Sequence, residues 1–126
     1  MGTIITSTVK KYPKTIPYAD IATKILGTKY ELSLAFVGNT RAASLNKAYR
    51  KKTYSPNVLS FPLDTYAGEV VICPAVSKRE AHAYNLSEKG YIAFLFIHGC
   101  LHLKGHDHGD TMEKLERKYL KAFNIT

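Results

Sequence analysis

Long hydrophobic runs and a cysteine framework are both missing from this sequence. Its most apolar segment, YIAFLFI (91–97), is broken by His98, well short of the roughly 18 residues that a membrane-spanning helix needs. No membrane partner is therefore expected. The opening stretch Met1–Lys10 lacks the charged start and continuous apolar run of a secretory signal. The two cysteines, Cys73 and Cys100, have no CxxC spacing and are too few for a disulfide scaffold. Both read as small core residues, and the expectation is a reduced, cytoplasmic protein. Acidic residues are scarce as well: ten stand against eighteen Lys and Arg, for a formal charge of +8. Where such an excess is more than a solvated surface, it favours polyanionic partners, of which RNA and DNA are the commonest. No repeat, linker or low-complexity tract divides the 126 residues, so residues 1–126 read as one domain with a modest core.

What is present sorts into alternating strands and helices. TIITSTVKK (3–11) is rich in β-branched residues, as a first strand would be. Pro17 opens a helix with Ile21, Ile25 and Leu26 at helical spacing, stopped by Gly27. ELSLAFVG (31–38) becomes continuously apolar, like a central strand. Asn39 or Thr40 can cap a helix through Arg50, with Ala42, Leu45 and Tyr49 on one face. After a basic loop (51–56), NVLSFPL (57–63) and EVVICP (69–74) flank DTYAG as a connected antiparallel pair. A helix over 75–85 follows. Ser87 can cap the next one, whose segment 91–97 is apolar all round and so should lie buried at the centre. Asp110 with Glu113 resembles a capping box for the last helix, with Met112, Leu115, Tyr119 and Phe123 as its apolar stripe. The order β-α-β-α-β-β-α-α-α predicts an α+β (mixed α/β) fold, with a small, mostly four-stranded sheet and about five helices.

Histidine is also rare, except in one place. Four of the five histidines fall within HGCLHLKGHDH (98–108), and His82 is the fifth. His98 and His102 are four apart near the end of the central helix, which puts both imidazoles on one face, where they can share a metal. Gly105 lets the chain turn back, so that His108, or alternatively His106, can supply a third nitrogen. Three protein ligands and one open position are the pattern of catalytic zinc, although other divalent transition metals would also bind imidazoles. Asp107 is better placed to orient a ligand than to bind metal itself. His82 reads as a surface or boundary residue. The spacing HxxxHxxGxxH is that of the metzincin proteases, which carry a Glu directly after the first His as general base. Here that position is Gly99, so peptide hydrolysis by that route is not expected.

HGCLHLKGHDH resembles the HGxLHLxGYDH signature of the YbeY family of metal-dependent endoribonucleases and rRNA maturation factors. LNKAYRKKTYSPNVLSFP (45–62) resembles that family's LN-x-x-YR-x-K…TDVLSFP block, and AGEVVIC (67–73) its GDI-x-I strand. The resemblance covers roughly residues 31–123. It implies one Zn²⁺ on His98, His102 and His108, with His108 preferred to His106, and a catalytic arginine at Arg50. It also implies single-stranded RNA as substrate, with a role in small-subunit rRNA processing and ribosome quality control. Ribosomal particles and ribosomal proteins would then be partners. Three positions depart from the pattern: Asn57 and Glu69 each stand where the family usually has Asp, and His106 where it has Tyr. A guanidinium at Arg50 matches a phosphate bidentately and can stabilise the charge that develops on a cleaved phosphodiester. Lys47, Lys51 and Lys52 would extend a positive track for the RNA backbone, and Tyr49 and Tyr54 could stack on bases. Either water activated at the metal or the RNA 2′-hydroxyl could attack. The rival readings are a metal-dependent hydrolase of another bond, and a non-catalytic ribosome-assembly factor in which the metal organises the loop 104–110.

Overall fold

The computed structural model describes residues 2–51, 56–107 and 109–125. In chain order the elements are β1 (Thr3–Ser7), α1 (Tyr18–Leu26), β2 (Glu31–Phe36), α2 (Asn39–Arg50), β3 (Val58–Asp64), β4 (Ala67–Ile72), α3 (Pro74–Glu80), a 3-10 turn (Ala81–Tyr84), α4 (Glu88–Lys104) and α5 (Asp110–Ala122). The expected α+β order is realised. The sheet runs β1-β2-β4-β3, with β1, β2 and β4 parallel and β3 antiparallel to β4. The hairpin after α2 therefore inserts β4 at the centre and leaves β3 at an edge. Pro62 sits in β3, where a missing N–H costs least, and the register shifts between Pro62 and Asp64.

Side chains alternate across the sheet. Leu32, Leu34, Phe36, Val70 and Ile72 form one face of the main core, together with Ile21 and Ile25 of α1 and Tyr91, Leu95, Phe96 and Leu101 of α4. Val71 and Leu59 point the other way, into a smaller cluster with Ala42, Cys73 and Val76. As expected, α4 is buried nearly all round, and its N-terminus is capped by the Ser87 hydroxyl, which accepts from Gly90 N–H. Both cysteines are buried and free. Among the described residues no helix is long and apolar enough to cross a membrane.

Several local expectations need correction. β1 stops at Ser7 because its partner β2 ends at the paired Phe36; a strand to residue 11 would have no ladder to join. In α2 the buried face is Ala42 with Asn46, and Tyr49 is 68% exposed. The helix expected over 75–85 tightens into the 3-10 turn after Glu80 and is ended by Asn85 in the left-handed region. Gly109, not Asp110, is the N-cap of α5; Asp110 and Glu113 instead lie in its first turn, where carboxylates meet the positive end of the helix dipole.

Candidate metal centre

The last two turns of α4 carry His98 and His102, and the i,i+4 spacing brings their rings edge to face with centroids 4.6 Å apart. Their Nε2 atoms approach to 3.1 Å. Gly105 ends the helix in the left-handed conformation, φ 106°, and its N–H and that of His106 return to the carbonyls of His102 and Leu101. That turn aims the His106 carbonyl at His102 Nδ1, 3.0 Å away. On the other imidazole, Glu116 of α5 places Oε2 2.8 Å from His98 Nδ1.

These partners orient the two rings. Nδ1 of His98 is held by the Glu116 carboxylate and Nδ1 of His102 by the His106 carbonyl, which turns the two Nε2 atoms toward each other. Two ring nitrogens that face each other at 3.1 Å are spaced for one cation to be shared between them. The separation also suits shared tetrahedral zinc, for which two Zn–N bonds of about 2.05 Å would hold the nitrogens about 3.3 Å apart. The donor set fits a divalent metal with imidazole preference. His108, the expected third nitrogen, lies outside the described residues, as do Lys52 and Tyr54. Among the described residues no group of three His, Cys, Asp or Glu side chains converges.

The pair opens on a cleft of about 1030 Å³ whose walls include Arg50, Asn57, Ser60, His98, His102, Glu116 and Arg117. Arg50, the final residue of α2, is thus brought to the same cleft as the two histidines. Lys47 and Lys51 are exposed nearby but are not among its lining residues. Asp107 is exposed in the turn, and His82 is exposed on the 3-10 turn. Cys100 is fully buried, and burial pushes its thiol pKa up, which keeps it a neutral core group.

Gly99 receives a structural explanation. It is buried against the sheet, and a Cβ there would come within 3.0 Å of Val70 Cγ1 and 3.1 Å of Ser60 Oγ. The Ser60 hydroxyl also donates to the Gly99 carbonyl at 3.1 Å. The position that holds a protease's glutamate is therefore crowded by Ser60 of β3 and Val70 of β4.

The departures at Asn57, Glu69 and His106 separate by location. Asn57 Nδ2 donates to Glu80 Oε1 at 3.0 Å, and the Tyr91 hydroxyl donates to the same oxygen at 3.1 Å. Burial, reinforced by the Glu80 charge, raises the Tyr91 pKa. Glu69 accepts from the Ser33 hydroxyl on the sheet face opposite α4 and does not line the cleft. His106 reaches His102 through its backbone carbonyl, which any residue could supply.

Glu116 and Arg117 were not anticipated. The signal for Glu116 was a carboxylate placed within an otherwise apolar stripe: it is 6% exposed, one turn from the buried Met112.

The family model for Endoribonuclease YbeY matches residues 4–124. A protein named Endoribonuclease YbeY from Polynucleobacter asymbioticus is 38% identical over 104 residues, covering 75% of this chain and 67% of that protein. One of the same name from Pseudomonas putida is 38% identical over 116 residues, covering 82% and 74%. Among solved structures, the solution structure of TM1509 from Thermotoga maritima superposes with a TM-score of 0.68. That match covers 94% of this chain and 87% of the other at 24% identity, a likeness of fold.

Proposed function

Because the chain belongs to the YbeY family of endoribonucleases, we propose that it is a single-strand-specific, zinc-dependent endoribonuclease. Its substrate would be ribosomal RNA, particularly of the small subunit, in maturation and ribosome quality control in the cytoplasm, with ribosomal proteins as neighbours. The observation that carries the chemistry is the facing Nε2 pair of His98 and His102, 3.1 Å apart, in a cleft shared with Arg50.

His98, His102 and His108 would hold the ion, and zinc there would supply a Lewis acid next to the scissile phosphate. Glu116 and the His106 carbonyl orient the two described imidazoles with Nε2 toward the shared position. Arg50 binds a non-bridging phosphate pair with its planar fork and stabilises the charge that develops there. The +8 charge recruits the strand through its phosphates, with Lys47, Lys51 and Lys52 extending the track. A single strand is favoured because its flexible backbone can lower a phosphate into a concave site, whereas an A-form duplex holds its phosphates rigidly. The glycine at position 99 and its tight packing on Val70 and Ser60 speak against a peptidase that depends on a glutamate there.

The test incubates metal-replete and chelated protein with a single-stranded RNA, its duplex, its DNA analogue and an unfolded protein, beside a His102→Ala control. The single strand should be cut only by the metal-replete wild type. Arg50→Lys should lose most activity while keeping its fold and metal content. Efficient proteolysis with intact RNA would overturn the reading.

A further inference from the structure

Beyond the metal ligands, the cleft contains a run of aromatic rings with no part in the chemistry above. Phe94 lies next to His98 at 6.2 Å between centroids, and Tyr91 stacks on Phe94 at 5.9 Å and 18°. Tyr84 in turn stacks on Tyr91 at 4.9 Å and 26°, and lies tilted against Phe94 at 5.8 Å. All three line the cleft. Tyr91 is fully buried and anchored through its hydroxyl to Glu80, but Tyr84 at the end of the series is 54% exposed. One face of Tyr84 is thus packed on a fixed ring, while much of the rest remains in water.

We infer that Tyr84 is a stacking platform for a nucleobase of the bound strand, near but not at the scissile linkage. The inference rests on the RNA-cleaving reading and adds a base-binding subsite to it. The turn that carries Tyr84 is closed by Asn85 in the left-handed conformation, whose N–H returns to the His82 carbonyl at 3.3 Å. The platform is therefore built before the ligand arrives, and a tyrosine has few torsions left to freeze. Tyr91 precedes His98 by seven residues, about 10 Å along the helix at 1.5 Å per residue, so the stacked base flanks the reaction centre.

The chemistry of the walls selects the ligand. Arg50 and Arg117 line the same cleft in a protein of charge +8, which suits a phosphate backbone. A planar π-face beside them suits an unstacked base. A duplex keeps its bases paired and stacked and has none to offer, so Tyr84 provides a second, independent source of single-strand preference.

The test measures equilibrium affinity for a labelled single-stranded RNA by anisotropy. Metal-replete protein is used on ice, and gels confirm that the RNA is still intact. An abasic ribose is walked along the strand. One position should weaken wild-type binding roughly tenfold, the scale of one lost base stack. Tyr84→Leu, which keeps apolar packing on Tyr91 but lacks the ring, should weaken binding of the intact RNA by a similar factor. Tyr84→Phe should bind like the wild type. The decisive arm joins the two changes: the abasic RNA should lose nothing further on Tyr84→Leu. Independent, multiplying losses would overturn the subsite, as would an abasic walk without effect or an absence of RNA binding. RNA bound through Tyr84 but never cut would leave the subsite standing and overturn the endoribonuclease reading.

Discussion

Replacing Glu116 probes the candidate metal centre without touching a proposed ligand. Its carboxylate is 8% exposed and lies 2.8 Å from His98 Nδ1, whose side chain is 18% exposed. Glu116→Ala removes the acceptor that holds the His98 ring. Loss of such an outer partner lowers metal affinity by about 10–100-fold, or about 1.4–2.7 kcal/mol. It also removes a mostly buried hydrogen bond of the imidazole, at a cost to the fold of about 1–3 kcal/mol, toward the lower end because the ring keeps some contact with water. Glu116→Gln keeps an acceptor oxygen but loses the charge that roughly doubles such a bond, so its affinity should fall between those of wild type and Glu116→Ala. Competition against a chromophoric zinc chelator measures the affinity, and thermal unfolding in metal-free buffer measures the cost to the fold separately. Zinc affinity of Glu116→Ala within twofold of wild type, beside a clear loss in His98→Ala, would refute the role assigned to this contact.

Other perturbations test the surroundings. Gly99→Glu should lower the unfolding free energy, read from denaturant titration, by at least the about 1–3 kcal/mol of an overpacked core site and confer no peptidase activity on casein; wild-type stability would mean that Val70 and Ser60 do not crowd the position. Asn57→Asp places a carboxylate against Glu80 in place of the donor now 3.0 Å away, and should destabilise the protein at neutral pH by about 1–3 kcal/mol in urea titration. Burial raises the folded-state pKa of Tyr18, Tyr30 and Tyr91 above the ordinary tyrosine value. Their contribution to stability is therefore fully present below about pH 10 and is lost as pH rises toward the folded pKa; melting temperatures recorded across that range should fall, and fall less for Tyr18→Phe.

The order of elements was legible in the sequence because it is written in local periods and local stops. Alternation and β-branching mark β2 and β4, the continuous apolar stretch 91–97 marks a buried helix, and Ser87 and Gly105 punctuate its ends within a few residues. The His98/His102 pair is likewise a local fact, since four residues are one helical turn. What lies across the chain was not legible. β1 ends where β2 ends, α2 buries Asn46 rather than Tyr49, and Gly99 packs tightly on Val70 and Ser60 of neighbouring strands; these follow from packing partners far away in sequence. Glu116 meets His98 across eighteen positions, while Arg117 and Tyr84 join the cleft from separate elements. The sequence by itself determined that His98 and His102 stand one turn apart on the same helix. Only the tertiary structure decided which atoms hold the imidazoles, which cations and rings line the cleft, and how tightly Gly99 packs on the sheet. Hydrogen bonding and close packing between distant segments have no period for a sequence to display.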